Sequence, residues 1–194
     1  MSTVPLFTDE SWNLPSRGRV GMLSLIVGEC GIFTIFVVAY IYYMGRNAYG
    51  PTPRILEVPI FNTICLLSSS LTIWLAERAI EHGAMRRFAA WWALTIALGA
   101  IFLGETAKEW YTLIFHEHLT VRTNLFGTTF YSLVGLHATH VIIGLLGLSL
   151  IMIFTLLGHV NHSHAERVKV FALYWHFVDA VWVVVFTVVY IVGR

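Results

Sequence analysis

The sequence predicts an all-α membrane protein, a bundle of five transmembrane helices, on three observations. Of its 194 residues 57% are hydrophobic and only 12% are charged, and the mean hydropathy of +0.73 lies outside the range of soluble domains. Five apolar stretches, at 20–44, 56–76, 88–107, 125–157 and 168–192, are each long enough to be a membrane helix, since a hydrocarbon core of about 30 Å takes roughly 20 residues to cross. None alternates with period two, and backbone facing lipid must satisfy its own hydrogen bonds, so helices are expected and a barrel is not.

Residues 1–19 hold Pro5, Asp9, Glu10 and Pro15 and no apolar core behind a basic start. They read as a short soluble lead to a single domain at 20–194, not as a signal peptide. The first helix closes on Tyr40, Tyr42 and Tyr43, residues that favour the membrane interface, and Gly50, Pro51 and Pro53 punctuate the link that follows. The second opens near Glu57 and Pro59. A proline in the first turn costs no helical hydrogen bond, and a carboxylate there complements the positive end of the helix dipole. Asn62, Ser68, Ser69, Ser70 and Thr72, further along, suit contact with another helix rather than lipid.

The third helix is bracketed by Trp91 and Trp92 at one end and Trp110 and Tyr111 at the other, with Glu105, Lys108 and Glu109 spaced for ion pairs in the headgroup zone. The fourth stretch, of about 33 residues, exceeds what a bilayer needs and should tilt or project beyond the headgroups. Its Gly127, Gly135, Gly144 and Gly147 permit close approach of neighbours. His159, His162 and His164 then form a link that reads as a solvated loop before the fifth helix.

Charge sets orientation and excludes partners. Seven Lys and Arg residues (Arg17, Arg19, Arg78, Arg86, Arg87, Arg167, Lys169) fall on the side of the N-terminus and five (Arg46, Arg54, Lys108, Arg122, Arg194) on the other, which favours an N-terminus inside and a C-terminus outside. A net charge of +1 without a basic tract argues against nucleic acid. Cys30 and Cys65 both lie in apolar runs, so no disulfide framework is expected. No nucleophile elbow, phosphate loop, dinucleotide fingerprint or CxxC pair occurs, and no catalytic residue is assigned.

The functional signal lies in ionisable residues within the spans, each of which costs a few kcal/mol to insert and so needs a partner or a wet cavity. Glu29 sits about ten residues into the first helix, His137 and His140 near the middle of the fourth, and His176 and Asp179 about ten residues into the fifth. The two pairs are spaced i, i+3, each on a single helix face, and all five residues fit one depth band. Three readings of such a network stand side by side. It is structural, with buried polar groups specifying helix packing; or it is a proton-handling or lipid-headgroup site, with Glu29 exchanging protons with nearby imidazoles; or His137, His140 or His176 ligate a metal or haem. Glu57 and Glu109 are secondary candidates, for which capping and surface pairing suffice.

Residues 56–63 read LEVPIFNT, 135–144 GLHATHVIIG and 174–182 YWHFVDAVW. In this order they resemble the signature segments of subunit III of haem-copper terminal oxidases, the cytochrome c oxidase subunit III family. GECGIF around Glu29 is similar to the segment carrying that family's membrane-buried carboxylate, and AKEWY at 107–111 resembles its acidic-aromatic helix end. Together these segments touch all five spans. Long members of the family have seven helices; this chain resembles shorter bacterial members that lack the first two, which favours a bacterial plasma membrane. In long members lipids sit in a cleft between the first two helices and the rest, so here that cleft would need another wall.

The resemblance implies a multi-pass, non-catalytic subunit that packs on oxidase subunit I with other subunits and lipids around it. It implies no haem, copper or other metal in this chain, those being held by partner subunits, while a bound phospholipid is compatible with it. The implied function is to support proton uptake and the stability of the catalytic subunit in a proton-pumping complex that reduces oxygen to water. Glu29 matches the family's buried carboxylate, and His137, His140, His176 and Asp179 match its HxxH and WHxxD positions. LEVP favours a cytochrome c-oxidising complex; FTVVY at 186–190 also resembles the quinol-oxidising branch. A stand-alone His-liganded cytochrome or a small transporter are more remote alternatives, the latter disfavoured because the spans show no evident two-fold repeat.

Overall fold

A computed structural model describes residues 16–46 and 50–193; most of the expected N-terminal lead, 1–15, lies outside them. Five helices long and apolar enough to cross a membrane account for almost all of the described chain, and no strand occurs among the described residues. They are α1 (Arg17–Tyr43), α2 (Ile60–Glu81), α3 (Met85–Phe115), α4 (Leu125–Leu156) and α5 (Ala165–Phe186), the last continuing as π-helical turns over Thr187–Val192.

The termini follow local chemistry. Ser16 caps α1 by accepting from the Arg19 N–H at 3.4 Å, and Asn124 caps α4 by accepting from the Gly127 N–H at 2.8 Å. The Asn124 amide also donates to the Pro51 carbonyl at 2.9 Å, tying the α1–α2 link to the start of α4. Helices α2 and α4 both end on a glycine in the left-handed region, Gly83 (φ 70°) and Gly158 (φ 76°). In each, the next two N–H groups fold back on the last turn: Gly83 to Ile80 and Ala84 to Ala79, Gly158 to Thr155 and His159 to Phe154. Only His82, Gly83 and Ala84 separate α2 from α3, so these two helices form a tight antiparallel hairpin.

Several boundaries differ from the sequence expectation: α1, α3 and α5 each start three residues earlier and α2 continues to Glu81, and two further ends have a local cause. The second helix begins at Ile60, with Pro59 as its N-cap and no side-chain cap. Glu57 therefore does not cap it. Val58, preceding a proline, is disfavoured in helical backbone, and the chain turns through Pro53–Ile55 before the helix can start. The third helix runs to Phe115, well past residue 107, because Lys108 and Glu109 interrupt the apolar stretch but not the helix.

α5 is the central element and packs on α1, α2 and α4, while α3 joins α2 to α4. Its indole groups fasten it. Trp175 Nε1 donates to Ser69 Oγ at 2.8 Å, and Trp182 Nε1 to Thr63 Oγ1 at 3.2 Å, both on α2. On α3, Trp92 Nε1 donates to the Leu148 carbonyl of α4 at 2.9 Å, and Thr95 meets Thr72 of α2 at 2.7 Å. Gly144 and Gly147 fulfil the expected close approach: a Cβ on Gly144 would stand 2.8 Å from the Trp175 ring, and one on Gly147 would run into Phe171. By contrast α1 buries only Phe33 and Tyr40, leaving Val27, Ile35 and Val38 uncovered by this chain.

Candidate functional site

The five polar residues expected to share one network are divided by the fold into separate groups. Glu29 and His140 meet. Glu29 Oε2 lies 3.2 Å from His140 Nε2, joining α1 to α4, and His140 Nδ1 lies 2.8 Å from the Leu136 carbonyl one turn back. Nδ1 donating to that carbonyl leaves Nε2 to face the carboxyl group, so local helix geometry orients the ring for its partner. Phe33 packs against the imidazole with ring centroids 5.0 Å apart, and Tyr174 donates to the His140 carbonyl at 3.3 Å. The Glu29 side chain keeps 21% of its surface exposed.

His176 and Asp179 turn instead toward α2. The Ser70 hydroxyl bridges them, 3.2 Å from His176 Nδ1 and hydrogen-bonded to Asp179 Oδ2. Ser69 reaches the same oxygen at 3.4 Å while accepting from Trp175, so five side chains of the α2–α5 interface form one continuous cluster. Asp179 Oδ1, buried, has no protein donor. His176 also borders a cavity of about 490 Å³ that includes Arg19, Glu77 and Lys169 and lies at the α1 N-terminal end of the bundle. There Lys169 pairs with Glu81, and Arg19 lies 3.7 Å from Glu166.

His137 joins neither group. Only 1% exposed, it lies between Phe102 and Trp182, with ring centroids 5.9 and 5.1 Å away, and neither ring nitrogen has a protein hydrogen-bond partner. The i, i+3 spacing places it near the face of His140, but it packs against rings of α3 and α5 while His140 meets Glu29 of α1. Among the described residues no three His, Cys, Asp or Glu side chains are arranged to hold a metal ion. Both cysteines are free.

The secondary candidates mark a third place, at the α1 C-terminal end. Glu109 accepts from the Tyr190 hydroxyl at 3.0 Å, which ties α3 to the π-helical end of α5. Glu105 takes the expected ion pair with Lys108, at 3.5 Å. Glu57 and Glu109 share a cleft whose floor includes Asn62. The polar run of α2 makes the expected helix contacts, Thr72 with Thr95 of α3 and Ser69 and Ser70 with α5, where their partners are Trp175, His176 and Asp179.

Residues 16–194 match the family model for cytochrome c oxidase subunit III. The chain is 35% identical over 190 residues to a protein of Thermostichus vulcanus named cytochrome c oxidase subunit 3, covering 96% of this chain and 92% of that one. It is 36% identical to the protein of the same name from Synechocystis, over 91% of this chain and 76% of the relative. With the like-named protein from Bacillus sp. it shares 32% identity over 98% and 94% of the two chains. Spans, motif order and these likenesses converge, and the chain belongs to the cytochrome c oxidase subunit III family.

Proposed function

We propose that the chain is the non-catalytic third subunit of a bacterial haem-copper oxidase, seated against subunit I in the plasma membrane with the α1 N-terminus facing the cytoplasm. The complex reduces oxygen to water with proton pumping; this subunit supports proton uptake and prolongs the working life of the catalytic subunit. The names and bacterial sources of the relatives favour this membrane, and favour cytochrome c over a quinol as electron donor. The chain binds no haem or copper of its own. His140 is engaged by Glu29, His176 by Ser70, and His137 is enclosed by aromatic rings.

The observation that carries the reading is the Glu29–His140 pair. A carboxyl group costly to place in lipid sits on the least covered helix, paired with an imidazole and one-fifth exposed. A carboxyl–imidazole pair at 3.2 Å can hold and pass a proton between its two atoms, Oε2 and Nε2.

In the purified complex, Glu29→Gln keeps the shape and one acceptor of the side chain, and interhelical hydrogen bonds in membranes average only about 0.6 kcal/mol. Assembly should therefore survive. Turnover should slow, or the active lifetime shorten, most at alkaline pH where protons are scarce. Steady-state activity and lifetime equal to the parent complex would leave the pair a purely structural contact.

A further inference from the structure

The proposed function uses the Glu29–His140 pair and leaves His176 and Asp179 without a role. These two residues lie on a seam that runs to one end of the bundle. On α2, Ser70, Trp74, Glu77 and Glu81 follow one another at helical steps, and on α5 Asp179, His176, Leu173 and Lys169 do the same, so each set occupies one helix face. The faces oppose each other at both ends. Ser70 meets Asp179 and His176 at the inner end, and Glu81 meets Lys169 at the outer.

Between these contacts lies the cavity of about 490 Å³. Its charged lining is Arg19 from α1, Glu77, Arg78 and Glu81 from α2, and Lys169 from α5. Arg19 lies 3.7 Å from Glu166, and the Arg78 guanidinium stacks 4.0 Å from the Trp74 ring. The side chains of Arg19, Glu81 and Lys169 are 44%, 39% and 28% exposed, so the rim of the cavity reaches the surface. A polar space of this size with a charged, exposed rim admits water.

At the inner end the polar groups form a chain. His176 is half-buried and borders the cavity; its Nδ1 is 3.2 Å from Ser70 Oγ, and its Nε2 has no protein partner among the described residues. The two ring nitrogens diverge, which leaves Nε2 for the cavity. Ser70 then donates to Asp179 Oδ2. Asp179 is 2% exposed and forms no ion pair among the described residues, and no charged group of α1 or α4, the other helices packed on α5, pairs with it or with His176. Ser69 also reaches Oδ2, at 3.4 Å, but stands closer to the Leu66 carbonyl, at 2.6 Å, so Ser70 is the carrier.

We propose that His176 and Ser70 form a proton relay through which Asp179 is loaded from the α1 N-terminal side. A proton from water in the cavity binds Nε2, the Nδ1 proton passes to Ser70 Oγ, and the Ser70 hydroxyl proton passes to Asp179 Oδ2. A hydroxyl can do this because it accepts from one neighbour while donating to another. The imidazole stays neutral with its tautomer exchanged, and the carboxylate becomes a carboxylic acid. The reverse shifts return the proton to the cavity. Chains of His and carboxyl side chains are a recognised use of costly ionisable groups within a membrane. The relay shares no residue with the Glu29–His140 pair, so its failure leaves the proposed function intact.

The test follows the intact oxidase complex, oriented in vesicles, by infrared difference spectroscopy of the carbonyl stretch of protonated carboxylic acids. The Asp179 band is the one that Asp179→Asn removes. An acid step on the α1 N-terminal side should raise this band, and the same step on the opposite side should leave it unchanged. Transfer to heavy water should shift it. Ser70→Ala and His176→Phe should each slow that shift about a hundredfold, the low end of what a positioned proton carrier contributes. Ser70→Thr, which keeps a hydroxyl, should restore the rate, with retention of the chain in the complex as the folding control. A band that answers only to the opposite side, or to neither, would overturn the proposal without any relay variant. So would exchange at the parent rate in both Ser70→Ala and His176→Phe.

Discussion

Trp175→Ala should loosen the bundle more than any other single truncation in α5, by about 3 kcal/mol. Losses for large-to-small core changes at tryptophan run about 3–5 kcal/mol in water, and the low end applies because lipid removes most of the transfer term and leaves the packing term. Trp175 is fully buried and reaches three other helices. Its indole N–H donates to Ser69 on α2, and its ring is clamped between Gly99 on α3 and Gly144 on α4, where an added Cβ would stand 2.8 Å from it in either case. The cavity left by alanine cannot be filled from either glycine. Detergent challenge of the purified complex, followed by the amount of this chain retained, measures the loss. Trp175→Phe, which keeps a ring but forfeits the N–H, should cost about 1 kcal/mol, near the value of one interhelical hydrogen bond. Equal retention of the alanine variant and the parent would show that Trp175 does not hold the bundle together.

The five spans were readable because a membrane helix announces itself by length and hydropathy, both local properties of the chain. Their ends were less readable for an equally physical reason. At 107 the apolar stretch stops where the helix does not, since Lys108 and Glu109 belong to the headgroup zone and remain helical to Phe115. At 56 the stretch starts before the helix does, because Val58, preceding Pro59, is disfavoured in helical backbone. Gly144 and Gly147 are legible as points of close approach, but which ring fills each is set by the rotation of α5, which no local pattern encodes.

The same limit governs the polar residues. Shared depth and i, i+3 spacing place His137 with His140 and His176 with Asp179, yet contact depends on what the facing helices present. α1 presents Glu29 to His140, α2 presents Ser69 and Ser70 to Asp179, and Trp182 of α5 and Phe102 of α3 present rings to His137. The serine run at 68–70 was the available clue to the α2–α5 cluster. Read together with a carboxylate on an unassigned face, it marks a hydroxyl cradle for Asp179.

Because the Asp179 cluster and the Glu29 pair are separate, their energies should add. Asp179→Ala removes the acceptor shared by Ser69 and Ser70, leaving Ser69 its bond to the Leu66 carbonyl and Ser70 its contact with His176, at about 1 kcal/mol, and the chain should be released from the complex at lower detergent stress. Asp179→Asn, which keeps one carbonyl acceptor, should cost less. In a double-mutant cycle Ser70→Ala with Asp179→Ala should couple by about 0.6 to 1.7 kcal/mol, the range of interhelical hydrogen bonds, because each change removes the other's partner. Glu29→Gln with Asp179→Asn should instead add to within about 0.5 kcal/mol, as expected of sites with no shared partner. A coupling in that second cycle as large as in the first would mean that the two groups act as one network across the bundle, through a connection that the direct contacts of α1, α2, α4 and α5 do not contain.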